Sequence, residues 1–485
     1  MGYRLRTFEA ESKFSSELTL EAIGQAVPMD EIKAVIRETG VAEVRERKLS
    51  MAVVVLVIIA MNLYARLSIE QVIRKIARGL RFIWPNPDYA LPGDTALSYR
   101  RYQLGARPLM VLFRRVCRPI ATPDTPGAFL FGLRLMAIDG TTEDVPDTPD
   151  NVTVFGRHVS ARGASAFPQV QGVYLCECGT HALVDACFWP CHLSERAGGF
   201  RVLRSVESGM LVMWDRGFHD YDMIQGVLQR QAHILGRLPS HVKPKPVRTL
   251  PDGSYLAYLY PSDYHRRKRG EHLLVRIIEY TLTDPALPGY SEIHRLVTTL
   301  LDDAAYPALD LACAYHERWE VELTIDETDT HQRLAGRPLR SQKPVGVIQE
   351  LYGLLIAHYA LRFVMHAAAD QAGLDPDRLS FVHALQVLQE AIPEFQMTAS
   401  DHWPQLYARL LRDIAEGRLP PRRLRANPRV VKRKMSKFHL KRPEHADWPQ
   451  PTRSFRQAVE MISSLELVIA VPYFVDCRPC LACSA

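Results

Sequence analysis

Two apolar segments of this chain end alike. Leu135-Met-Ala-Ile-Asp139-Gly-Thr141 and Met210-Leu-Val-Met-Trp-Asp215-Arg-Gly-Phe218 each run through strand-forming residues into an aspartate and then a nearby glycine. Runs rich in β-formers and bounded by turn residues predict strands of a mixed α/β domain. An aspartate at the C-terminal edge of such a strand projects into the crevice where α/β sheets place their ligands. Taken singly, each aspartate is as well read as a turn cap. Together, on neighbouring strands, they repel, and a divalent cation with hard oxygen ligands relieves the repulsion. The pair therefore predicts Mg²⁺ or Mn²⁺.

A third acid stands in Tyr315-His-Glu-Arg318-Trp-Glu-Val-Glu322, within a helical pattern from about 306 to 332. At about 100° per residue, Arg318 and Glu322 fall at roughly 300° and 340° from Tyr315, so a continuous helix puts all three on one face. That face suits a phosphate and a metal together. An i,i+4 surface salt bridge between Arg318 and Glu322 is the plainer account, worth a few tenths of a kcal/mol.

Around these acids the texture changes in blocks. Apolar helical runs at Met29–Glu38, Arg47–Ala65, Ser68–Leu80 and Pro108–Arg118 predict a helical domain over 1–125, and Ser68 with Gln71 forms a capping-box start. Strand-like segments at Phe129–Ile138, Val170–Glu177, His181–Trp189 and Met210–Trp214 open a mixed domain over 126–415. A β-rich insertion is expected at about 237–303, with a basic loop from His265 to Arg269. Helical pattern returns at 345–370 and 403–415. Residues 416–485 form a basic C-terminal region, in which 422–442 hold ten Lys or Arg, Lys432, Arg433 and Lys434 among them, and no acid. Such a run is either a solvated tail or a phosphate-gripping segment.

With 60 Lys and Arg against 54 Asp and Glu, the net charge is only +6, so basic surface must come from such clustering. The apolar run Met51–Met61 is too short to span a bilayer and reads as a buried helix. Met1 to Phe14 are charged with no apolar run, which predicts a cytoplasmic chain. Nine cysteines then read as buried thiols: Cys176, Cys178, Cys187, Cys191 and His192 have no known zinc-knuckle spacing, and the tail Cys477, Cys480 and Cys483 resembles part of an iron–sulfur run that lacks a fourth nearby ligand.

Tyr-x2-Arg-x3-Glu, preceded by the Ile-Asp-Gly-Thr and Asp-Arg-Gly-Phe strands, resembles the insertion sequence 4 family of bacterial transposases. The resemblance extends through Phe155-Gly-Arg157, Phe167-Pro-Gln169, Gly179-Thr-His181, Leu250-Pro-Asp-Gly-Ser254, Leu339-Arg-Ser341 and Gln349-Glu-Leu351, over most of residues 15–370. It implies a ribonuclease H-like core, similar to that of retroviral integrases: a mixed sheet flanked by helices, with the β-rich insertion before the last catalytic helix and an all-helical N-terminal domain. It implies a triad of Asp139, Asp215 and Glu322 holding two Mg²⁺ or Mn²⁺ ions, which cuts at terminal inverted repeats and joins 3′-ends to target DNA. Tyr315, Arg318 and Arg216 would hold DNA backbone near the cleaved bond, the N-terminal helices would read the repeats, and a homodimer would pair two ends.

One departure stands out. The family motif continues Glu-x6-Lys, whereas position 329 is Asp. On the same wheel Asp326 and Asp329 share the Glu322 face, and Arg333 would supply a cation about one turn further along. A copy that has lost catalysis and only binds DNA is the alternative that this departure leaves, and a nuclease without strand transfer is another.

Overall fold

The computed structural model describes residues 3–462 except 10, 46, 87, 161–162, 269, 288, 334–335, 421–429, 432–438, 446 and 448. Lys432, Arg433, Lys434 and the three tail cysteines lie outside the described residues. The chain divides into two compact units, one of residues 1–233 with 316–422 and one of 234–315 with 423–485.

The first unit is built on four strands: β1 (Leu133–Asp144), β2 (Gln169–Glu177), β3 (Ala182–Pro190) and β4 (Met210–Trp214). Their order is β3-β2-β1-β4. The first three form an antiparallel meander, and β4 joins β1 in parallel from Arg134↔Met210 to Ile138↔Trp214. A meander closed by a parallel strand, reached through the helix Glu195–Val202, is the ribonuclease H-like arrangement. All of β4 is buried, which is why its sequence is continuously apolar, and β2 and β3 are buried over most of their length. The β2–β3 turn needs Gly179, whose φ is +81° and whose absent Cβ would come within 2.8 Å of the backbone at Pro126 and Gly127.

Helices cover this sheet. Met51–Leu63 is buried almost throughout and starts on Ser50, whose side chain accepts from the Val53 N–H. It shows no polar face because it is covered all round. It packs against the long helix Pro344–Ala372. At their contact a Cβ on Gly353 would lie 2.7 Å from Ile58, so glycine permits the close crossing. The long helix is long and apolar enough to cross a membrane, yet 83% of its most apolar window is buried inside the protein. The Ser68–Gln71 capping box forms as expected. A helix at Phe381–Met397, interrupted in sequence by Pro393, is an addition to the sequence reading.

The second unit is an antiparallel sheet of β5 (His233–Arg237), β6 (Pro246–Thr249), β7 (Tyr255–Leu259), β8 (Leu273–Leu282) and β9 (His294–Thr298), ordered β5-β9-β8-β7-β6. A strand from the C-terminal region, β10 (Val459–Met461), pairs with the end of β8. Buried Arg276 ties the unit together through Asp252, Ser254 and the carbonyls of Asp302 and Tyr306. The expected basic loop is a short exposed helix, Asp263–Lys268.

Candidate active site

Asp139 does not end its strand. β1 continues to Asp144 because its antiparallel partner β2 runs alongside as far as Gln169, whereas the parallel pairing to β4 stops at Ile138↔Trp214. Asp139 therefore sits where one neighbour leaves, and Asp215 is the residue at which that neighbour turns away. The next positions after a registered pair are adjacent, so the two aspartates stand side by side. Each is oriented by its own turn. Asp139 Oδ1 accepts from the Gly140 N–H at 2.8 Å, and Asp215 Oδ1 accepts from the Gly217 N–H at 2.7 Å while capping the turn Arg216–Phe218.

Glu322 arrives on the helix Trp319–Asp326. Arg318, at the start of that helix, bridges two of the acids: Nη1 donates to Asp139 Oδ2 at 3.1 Å and Nη2 to Glu322 Oε1 at 3.0 Å. The i,i+4 salt bridge exists, but the same guanidinium also joins residues 179 positions apart in sequence. Burial pushes the Asp139 carboxyl above its ordinary range. Arg318 and the Gly140 N–H offset this, and the charges of Glu322 and Asp215 add to it. The three acids thus form one electrostatic group.

The single-helix wheel does not hold. The pattern expected over 306–332 is broken at Arg318 into Ala308–Glu317 and Trp319–Asp326, and Glu327–Gln332 is a π-helical turn. Tyr315 lies on the first piece, in the second unit, and Arg216 is exposed beside Asp215. The wider π turn changes the angular advance, so positions 329 and 333 do not fall where a regular helix puts them. The helix ends at Gln332, and Arg333 is extended and ion-paired with Glu143 of β1. Asp329 is half-buried beside that pair. Thr141 Oγ1 donates to its Oδ2 at 3.3 Å, and burial with the Glu143 charge pushes its carboxyl up to about 8.

Two groups near the triad are absent from the sequence reading. Glu195, the first residue of Glu195–Val202, is raised by burial and by the charges of Asp139 and Asp215. Behind Glu322 lies a buried network. His181 Nε2 meets Glu320 at 2.6 Å and its Nδ1 meets Glu327 at 3.0 Å, while His358 Nε2 and Arg362 Nε reach Glu327 at 3.0 and 2.9 Å. His181, Glu320 and Asp377 hold donor atoms within 4.8 Å of one another. Arg362 Nη2 also lies 2.5 Å from His181 Nδ1, so the buried ring stands between two carboxylates and a guanidinium.

The chain matches known proteins along most of its length. The model of the insertion element 4 transposase N-terminal region matches residues 17–114, and that of the transposase DDE domain matches 130–360. InsG, the transposase of insertion sequence element IS4 of Escherichia coli K12, is 26% identical over 435 residues, covering 86% of this chain and 93% of InsG. A piggyBac transposase, solved as a synaptic complex with hairpin DNA, aligns at TM-score 0.43 and 13% identity over 81% of this chain and 85% of that one. The two family models and the InsG match define a DNA transposase with a DDE domain. The chain belongs to the insertion element 4 family of these transposases.

Proposed function

We propose that Asp139, Asp215 and Glu322 are the catalytic carboxylates with which this transposase cuts at the inverted repeats of its element and joins the freed 3′-ends to target DNA. The observation that carries the reading is the Arg318 bridge between Asp139 and Glu322, at the sheet position where Asp215 stands alongside. The donor set suits a hard divalent cation: three carboxylates, two of them fixed in orientation by backbone N–H groups, whose mutual repulsion a cation relieves. Two Mg²⁺ or Mn²⁺ ions held by these residues would supply Lewis acidity to an in-line displacement at phosphorus.

The chain's own groups do the rest. Asp139 and Asp215 are held at the strand edge by their own turns, and the helix bearing Glu322 faces them. Arg318, whose fork suits a phosphate as well as a carboxylate, turns to the DNA backbone when its two acids take other partners. Arg216, which is exposed, would add DNA-backbone contacts, as would Tyr315, Lys432, Arg433 and Lys434, and Arg333 holds Glu143 next to the site. We further infer a homodimer that pairs two ends, working in the cytoplasm on the nucleoid. The test is metal-dependent nicking and joining of a duplex carrying the element's ends. Cutting followed by joining supports the reading, cutting alone reduces it to a nuclease, and neither leaves a DNA-binding protein.

A further inference from the structure

We propose that Glu195 is a fourth carboxylate of this site, binding the same cation as Asp139. The inference rests on the metal-binding reading of Asp139, Asp215 and Glu322 given above.

Glu195 opens the helix that carries the chain from β3 to β4. An acid in a first turn is ordinary, since it complements the helix dipole, and that is the competing account. Three glycines argue for more. On the next turn of the helix, a Cβ at Gly198 would come within 1.8 Å of the Trp189 ring on β3. A Cβ at Gly199 would come 2.9 Å from Phe218, in the turn that follows Asp215, and 3.0 Å from the Met223 sulfur. Without side chains at these two positions the helix settles directly on β3 and on the Asp215 turn. Its first residue is thereby lowered onto β1.

There the third glycine receives it. A Cβ at Gly140, the residue after Asp139, would lie 2.1 Å from Glu195 Oε1 and 2.8 Å from its Cδ. Any side chain at 140 would occupy the space the Glu195 carboxylate fills. The carboxylate is thus placed over the backbone next to Asp139 rather than against the N–H groups of its own helix. Gln171 of β2 hydrogen-bonds to it, and the charges of Asp139 and Asp215 act on it. Among the described residues no Lys or Arg forms an ion pair with Glu195. Four acids therefore converge on a place where Arg318 bridges two of them. A half-buried carboxylate packed against two like charges is stabilised by a shared cation, and hard divalent ions commonly take carboxylates from several elements at once.

The test is calorimetric titration of Mn²⁺ into the full chain without DNA, for the native protein, Glu195→Gln, Gly140→Ala and Asp139→Asn. Glu195→Gln keeps the shape and removes the charge, and is expected to weaken Mn²⁺ binding about tenfold or more with the metal-free melting temperature nearly unchanged. Gly140→Ala removes no carboxylate but displaces that of Glu195 from its place, and is expected to weaken binding likewise. If Asp139→Asn loses affinity while Glu195→Gln binds as the native protein does, Glu195 is not a ligand and the triad stands. If Glu195→Gln only lowers the metal-free melting temperature, the acid serves the helix dipole and the proposal fails. If Asp139→Asn also binds normally, the metal-binding reading itself fails and takes this inference with it.

Discussion

The helix that carries Glu322 has acids on two sides, and they live in different worlds. Glu320 and the following Glu327 are buried and engaged by His181, His358 and Arg362, with side-chain exposures of 3% and 10%. Glu322 is 30% exposed and shares one guanidinium with Asp139. Burial and the nearby His181 push the His358 imidazole down to about 3, so on the buried side a neutral ring and a buried Arg362 meet the carboxylates in fixed geometry. Buried charges engaged by several partners hold a structure in place, because releasing any one partner leaves a charge without solvent. Acids held by their own backbone and a single exchangeable arginine are free to accept something else. The same helix is thus anchored by one face and offers chemistry on the other.

Breaking each side has a different expected signature. Asp139→Asn, Asp215→Asn and Glu322→Gln should each lower cleavage by about 10³-fold or more while melting temperature and DNA affinity stay near native, since each removes a metal ligand and little packing. Nicking assays beside binding isotherms decide this, and cleavage retained by any one variant would remove that residue from the site. Glu327→Ala strands Arg362 in the interior and should cost about 3–5 kcal/mol of stability, a drop on the order of 10 °C in thermal melts. A melt within two or three degrees of native would show that the buried face is no anchor.

Smaller effects sharpen the contrast. Arg318→Ala should reduce cleavage about 10–100-fold, and Mn²⁺ should raise its melting temperature more than it raises the native one, because no guanidinium competes for Asp139 and Glu322. Equal rises would mean that Arg318 does not stand in for a cation. The smallest effect concerns Asp329. Its folded carboxyl titrates above its unfolded value, so the folded state holds the extra proton between about pH 4 and 8, and stability falls as pH rises through that window. Asp329→Asn keeps the neutral form, so its advantage over the native protein in thermal melts should grow from pH 5 to pH 8. A constant difference would put the raised titration elsewhere.

Much of this site could be read from residues in line. The apolar runs before Asp139 and Asp215 signalled buried strands because covered strands need no polar alternation, and β4 has the span expected of it. The extent of β1 was hidden, since its continuation past Asp139 depends on pairing with β2 and not on its own residues. Helical spacing placed Arg318 beside Glu322 correctly over a single turn. It failed over three turns, where the break at Arg318 and the π turn at Glu327–Gln332 reset the angle. Glu195 carries no linear signal beyond a glycine pair three and four residues on, because what places it is the empty Cβ position of Gly140 on another strand. His181 and Arg362, 181 positions apart, meet only through the fold.

The most direct measurement is diffraction from Mn²⁺-soaked crystals of the full chain, with anomalous differences collected at the manganese edge. The expected result is a peak within about 2.5 Å of carboxylate oxygens of Asp139, Asp215 and Glu322, with Arg318 withdrawn from both of its acids. A peak bound by one of the three alone, or found only elsewhere in the molecule with the Arg318 bridge intact, would contradict a shared metal site.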